Sequence, residues 1–185
     1  AKVEGIKLLE KRNDSNQNDV HIWLNPQNGI KIAKFIAEKL SEIDPDNSQK
    51  YQKNLAQFIK EVEFSGENIQ THLSEIKGEY IFYHDGYQYF EDYFGIKPLM
   101  IVSYNHDSEL TFGSMKKIDA LTKEGRVKCI FGVPQDERNS AMKLAENYKI
   151  KFAILDLIGL KERQKPNGYS ALLRNMADDM TSCLK

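Results

Sequence analysis

The sequence predicts an α/β protein whose second half carries a four-stranded parallel sheet flanked by helices, preceded by one long helix. Three observations predict it. Four short runs without helical period, Tyr80-Ile81-Phe82-Tyr83, Leu99-Met100-Ile101-Val102, Cys129-Ile130-Phe131 and Phe152-Ala153-Ile154-Leu155, read as buried strands. Helical patterns at 87–94, 111–123 and 139–148 separate them and a last one covers 169–184, so crossovers join the strands and make them parallel. Ahead of these runs, from Tyr51 to Ile76, an apolar seam keeps helical spacing almost without interruption.

Taken from the start, Gly5-Ile6-Lys7-Leu8-Leu9 is a short strand-like stretch. Asn13-Asp14-Ser15-Asn16-Gln17-Asn18, without an apolar side chain, is a solvent-exposed loop. A helix then opens: Asn25 suits the N-cap, and Pro26 the first helical position, where its missing N–H costs nothing. Ile30, Ala33, Ile36, Ala37 and Leu40 mark its buried face. Pro45 pushes Asp44 out of the α region and ends it.

The next helix covers 45–76, with Tyr51, Leu55, Phe58, Val62, Ile69, Leu73 and Ile76 at steps of 4, 3, 4, 7, 4 and 3, broken only around Ser65 and Gly66. At 1.5 Å per residue it would run about 48 Å, against the ~30 Å of a small domain. That length favours a strut between two lobes over a core helix of one. Gly66 weakens it by roughly 1 kcal/mol relative to Ala and marks a bend. The division expected is residues 1–44, a linker helix over 45–77 and an α/β lobe over 78–185.

Composition narrows the function. Of the 185 residues, 41% are hydrophobic and 29% charged, and 26 Lys+Arg against 27 Asp+Glu leave a net charge of −1, which excludes a bulk basic footprint for nucleic acid. No apolar run approaches the ~18 residues of a membrane helix. The chain opens without Met, basic n-region or cleavable h-region, so any targeting segment is expected to have been removed or to lie outside it. Cys129 and Cys183 are the two cysteines. They read either as buried thiols or, in an oxidising compartment, as a bridge from a strand to the C-terminal helix, worth roughly 4 kcal/mol in the chain-entropy model.

In open parallel sheets ligands bind just past the carboxyl ends of the strands. His84 closes the first run and Asp156 the last, and the topology can bring them to one sheet edge. His21 lies just ahead of the Asn25 cap. Each signal alone has an ordinary reading. A single His near a helix start is more often a surface or capping residue, and an Asp after a strand commonly caps the next turn. His72 falls on the polar side of the long helix and His106 in the loop Tyr104-Asn105-His106-Asp107. No phosphate-binding glycine loop, nucleophile elbow or zinc-finger spacing occurs.

Three segments together resemble the landmarks of one family, in its order: His21-Ile22-Trp23-Leu24-Asn25-Pro26, His84-Asp85-Gly86-Tyr87-Gln88-Tyr89-Phe90, and Ile154-Leu155-Asp156-Leu157-Ile158-Gly159. That family is the periplasmic zinc-binding proteins of ABC transporters, the ZnuA-like branch of the metal-binding solute-binding proteins. Asp44-Pro45-Asp46-Asn47, Pro134-Gln135 and Ser182-Cys183-Leu184-Lys185 add to the likeness, which runs nearly the whole chain.

The resemblance implies two α/β lobes joined by a rigid long helix, with residues 1–44 a remnant of the first lobe, most of which is absent. It implies metal ligation by His21, His84 and Asp156, with a further histidine from the missing lobe. It implies a monomeric, non-enzymatic periplasmic carrier that captures zinc and delivers it to an ABC-type membrane permease, and that binds no nucleic acid. A bridged Cys129–Cys183 pair would agree with that compartment. Two imidazoles, a third from outside and a carboxylate or water suit tetrahedral zinc, whereas manganese members tend to carry a carboxylate where this chain has His84. Imidazole binds metal only when deprotonated, so affinity should drop below about pH 6.5. The chain departs from the family at Val20 and Leu157, where Pro is common, and at Val133, where Glu is common.

Other readings remain at this stage. The chain could be a fragment without a tight metal site, or a manganese- or iron-binding relative. An HD-type metal phosphohydrolase shares the order His21, His84-Asp85, Asp156, but those enzymes are all-helical and carry the His-Asp pair on a helix.

Overall fold

The structure, a computed structural model, describes residues 3–104, 110–136, 139–160, 162 and 164–185. His106 lies outside them. A hairpin, β1 (Glu10–Lys11) and β2 (Asp14–Asn18), is followed by a 3₁₀ turn (Ile22–Leu24), α1 (Pro26–Ile43), a second 3₁₀ turn (Pro45–Asn47) and α2 (Ser48–Ser74). Then come β3 (Glu79–His84), α3 (Gln88–Phe94), β4 (Met100–Ser103), α4 (Phe112–Lys123), β5 (Val127–Gly132), α5 (Ser140–Tyr148), β6 (Lys151–Ile154) and α6 (Gly168–Leu184). The last four strands form one sheet in the order β4-β3-β5-β6, every pair parallel. All four expected strands and all four expected helices of the second half are there.

Period-two alternation sorts the sheet's side chains between two cores. Tyr80, Phe82, Cys129 and Phe131 face α2, α3 and α6, joining Ile69, Leu73, Phe90, Leu173, Met176 and Met180. Ile81 and Ile130 face the other way, against Ile118, Leu121 and Leu144 of α4 and α5. Helices thus cover both faces, which is why the strands read as continuous apolar runs. Cys129 and Cys183 are bridged, with Cα atoms 6.0 Å apart, pinning the end of α6 to β5.

The first helix forms as its caps dictate. The Asn25 side chain accepts hydrogen bonds from the N–H groups of Gln27 and Asn28, and α1 ends at Asp44. Its predicted apolar face is buried only in part: Ile30 and Ala37 are covered, while Ile36 and Leu40 are 51% and 40% exposed. Helix α1 packs along α2, and among the described residues nothing covers its remaining flank. At 27 residues α2 is about 40 Å long, shorter than the seam implied because the chain leaves the helix at Ser74. Val62, Ser65, Gly66, Ile69 and Leu73 are its buried positions. Ser65 accepts a hydrogen bond from Arg174 at 3.0 Å, so the small pair in the seam is where α6 crosses.

The N-terminal stretch differs from expectation. Residues 6–9 are irregular because side chains, not a strand, take their backbone groups: Lys7 exchanges two hydrogen bonds with the Asn28 amide, and Leu9 N–H donates to the Tyr89 hydroxyl. The polar segment at 14–18 is exposed, as expected, yet pairs with Glu10–Lys11 as a strand. A ladder made of backbone needs no apolar alternation, and the sequence pattern carries no trace of it.

Candidate metal centre

His84 is the last residue of β3 and lies beside Ser103 of β4, so the sheet itself sets its position. The ring is buried, at 6% exposure. Gly86 explains how it fits. A Cβ there would lie 2.6 Å from Leu157 Cδ1 and 3.0 Å from His84 Cδ2, so any larger residue would have to push the leucine methyl and the ring aside.

His21 occupies the cap position of the Ile22–Leu24 turn. Its ring stands edge-on to that of His84, with centroids 5.7 Å apart, and 5.5 Å from the Trp23 ring. Asp19, buried and two residues upstream, holds it: one carboxylate oxygen accepts from the His21 backbone N–H at 2.8 Å and faces ring Nδ1 at 2.7 Å. Burial raises the Asp19 pKa, but the hydrogen bonds from His21 outweigh it and hold the carboxyl below its usual range. An ionised carboxylate only accepts, so the Nδ1 that faces it is the donor of that hydrogen bond.

Two long-range bonds fasten this segment to the rest of the molecule. Trp23 Nε1 donates to the Leu157 carbonyl at 2.8 Å, and the Tyr169 hydroxyl donates to the Trp23 carbonyl at 2.7 Å. The Tyr169 ring also fills the space above Gly29, where a Cβ would lie 2.2 Å from its hydroxyl.

Asp156 follows β6, one residue before the Leu157 that packs against Gly86. Its carboxylate is engaged by the next turn: one oxygen accepts from the N–H groups of Ile158 and Gly159 at 3.0 and 2.9 Å, the other from Leu160 at 2.6 Å. The ordinary turn-capping reading of an aspartate after a strand therefore describes what it does here. Among the described residues, no group of three or more His, Cys, Asp or Glu could hold a metal ion. The structure thus brings the two histidines together and leaves the aspartate's oxygens facing backbone.

A charged cluster that the sequence did not signal borders the histidines. Arg12, from the turn between β1 and β2, pairs with Asp85, the neighbour of His84, and forks onto Glu91 of α3 at 2.8 and 3.3 Å. Burial pushes Glu91 up to about 7 against the pull of Arg12, and likewise raises Asp85. A cavity of about 780 Å³ runs from this cluster along the open edge of β4, lined by Met100, Tyr104 and Lys117 among others, and touches none of His21, His84 and Asp156. Arg12 and Glu91 are 79 positions apart, beyond any local pattern. Asp19 had one available signal, its position two before a candidate ligand.

The family model described as ZnuA, zinc-uptake complex component A, periplasmic, matches residues 1–183. The zinc uptake protein ZnuA of Brucella abortus (strain 2308) is 30% identical over 167 residues, covering 90% of this chain and 50% of that protein. Its counterpart in Haemophilus influenzae is 31% identical over 166 residues, covering 89% and 49%. A crystal structure of ZnuA superposes with a TM-score of 0.83 at 24% identity, covering 99% of this chain and 68% of that one. The chain spans about half the length of the curated relatives it matches.

Proposed function

We propose that this chain, which belongs to the periplasmic zinc-uptake complex component A (ZnuA) family, captures zinc through His21 and His84 and passes it to an ABC-type permease in the periplasm. The family is one of solute-binding transport components rather than enzymes. The observation that carries the reading is the edge-on approach of the two imidazoles at 5.7 Å between centroids. Two rings sharing a tetrahedral ion at ~2.0–2.1 Å hold their centroids roughly 5 Å apart, close to the separation seen here. No helix of the described residues is long and apolar enough to cross a membrane, which agrees with a carrier working beside one.

Imidazole ligation favours zinc over manganese or magnesium, which prefer oxygen. Asp156 completes the proposed set as a carboxylate able to trade a backbone N–H for the ion. Its three hydrogen bonds favour a second reading as well: a pair of imidazoles, with the remaining ligands supplied by water or by groups beyond the described residues. Zinc titration of the chain distinguishes these. His84→Ala should remove its zinc binding, and unchanged affinity in that variant refutes the site. Asp156→Asn should weaken binding clearly on the first reading and leave it untouched on the second.

A further inference from the structure

We infer that Asp19 is the positioning residue of the site, setting both the orientation and the tautomer of His21. The inference rests on the zinc reading above and deepens it. The geometry is a two-point clamp: a single carboxylate oxygen takes the backbone N–H of His21 at 2.8 Å and stands 2.7 Å from ring Nδ1. With its backbone and its near nitrogen both fixed, the ring is left one degree of freedom at most, and Nε2 is the nitrogen that remains for an ion. Metal-bound imidazoles are held in this way by a carboxylate on the far ring nitrogen, which fixes the tautomer and raises ligand basicity.

Asp19 can serve as a fixed point because it is itself tied down. Its N–H donates to the Leu9 carbonyl at 2.8 Å, its carbonyl accepts from the Tyr89 hydroxyl at 3.2 Å, and it is 5% exposed. Tyr89 sits fully buried in α3, the helix that begins four residues after His84. The two histidines are thereby referenced to the same piece of scaffold: His84 through the end of β3, and His21 through Asp19, Tyr89 and α3. A charge serving solubility alone would be placed in solvent, and a simple turn cap would need only the backbone bond. The second contact, to the ring, is what a positioning role requires.

The test has one arm without metal and one with it. Nitrogen-15 NMR of the zinc-free chain at neutral to mildly basic pH should show the His21 ring as the Nδ1–H tautomer. Asp19→Ala should release it toward the Nε2–H form, and Asp19→Asn, which keeps an acceptor in place, should largely retain the original form. Zinc titration should then show affinity about 10- to 100-fold weaker in Asp19→Ala, with Asp19→Asn recovering most of it. A wild-type ring found as the Nε2–H tautomer overturns the inference without reference to zinc. So does Asp19→Ala binding zinc within twofold of wild type while His21→Ala loses it. If His21→Ala itself binds zinc normally, the zinc reading fails, and the tautomer arm still decides whether Asp19 sets the ring. Should Asp19→Ala not fold, the wild-type tautomer and Asp19→Asn carry the decision.

Discussion

Gly86→Ala puts the packing around His84 to a quantitative test. Gly86 has no positive φ, so the substitution strains contacts and not backbone. The new methyl carbon would start 2.6 Å from Leu157 Cδ1, 3.0 Å from His84 Cδ2 and 3.2 Å from His84 Nε2. Carbon atoms rest about 3.5–4.0 Å apart. Leu157 must therefore withdraw by about 1 Å, and the His84 ring by about half an ångström. Overpacking of this kind costs about 1–3 kcal/mol, less the ~0.4–1 kcal/mol gained by restricting the unfolded chain. For a protein of this size the net is a Tm loss of at most roughly 10 °C.

The functional effect of Gly86→Ala should exceed its effect on stability. Metal–ligand distances are set to within about 0.2 Å, so a half-ångström displacement of one imidazole spoils the geometry, and zinc affinity should fall about 10- to 100-fold. Competitive zinc titration on protein checked for folding by its thermal melt measures both quantities. Shortening the obstructing side chain, in Gly86→Ala with Leu157→Ala, should recover part of the affinity. A folded Gly86→Ala chain that binds zinc within twofold of wild type, while His84→Ala does not bind, would refute the argument that Gly86 and Leu157 fix the ring where an ion needs it.

Further outcomes follow from other contacts. Tyr169→Phe removes the hydrogen bonds to the Trp23 and Asn25 carbonyls. It should cost about 1–3 kcal/mol and speed amide exchange at residues 21–25 selectively, whereas uniform exchange changes would show that Tyr169 does not tether this segment. Reduction and alkylation of Cys129 and Cys183, which close a loop across 54 positions, should destabilise by ~4 kcal/mol, seen as a drop of roughly 8–16 °C in Tm. An equal Tm in both forms would remove the loop-entropy account. Glu91, pushed up to about 7 from an ordinary 4.5, holds a proton in the folded state through a window where the unfolded chain has released it. Stability should therefore fall as pH rises from about 4.5 to 7, and urea melts of Glu91→Gln should show a flatter slope there. An unchanged slope assigns the pH dependence to another group.

What could be read from the sequence follows the physics of each feature. Tyr80-Ile81-Phe82 and Cys129-Ile130-Phe131, in the two central strands, are buried on both faces, so apolarity is continuous and the runs announce themselves, while the edge strands β4 and β6 are covered only in part. Asn25 and Pro26 act within one turn of helix, and local chemistry is what a sequence displays. The hairpin from Glu10 to Asn18 is held by backbone pairing and polar side chains, and left no apolar signature. Gly5 to Leu9 looked like a strand because its composition suits one, while the actual partners, Asn28 and Tyr89, lie 21 and 80 residues away. In the candidate site, strand-end topology pointed to His84 and Asp156, and only the family's motif order joined His21 to them; the structure sets the His21 ring beside that of His84. The Arg12–Glu91 fork and the Tyr169–Trp23 bond were not, since each joins residues whose types are unremarkable where they stand.

These cross-connections bear on how an ion would be caught and released. Leu24 lies in the same core as Phe82, Phe131 and Leu173, with Ile22 and Trp23 packed against it. Arg12, Asp19, Trp23 and Tyr169 add polar bonds between the His21 segment and the elements after residue 78. In our reading the two imidazoles thus belong to one rigid unit, although 63 positions separate them and α1 and α2 lie between. An arriving ion would meet two imidazoles already side by side, with most of the entropy of bringing them together already spent in folding. On the proposed site, whatever completes its coordination would then come and go without dismantling that pair, and release would need the loss of the other ligands and not the separation of His21 from His84.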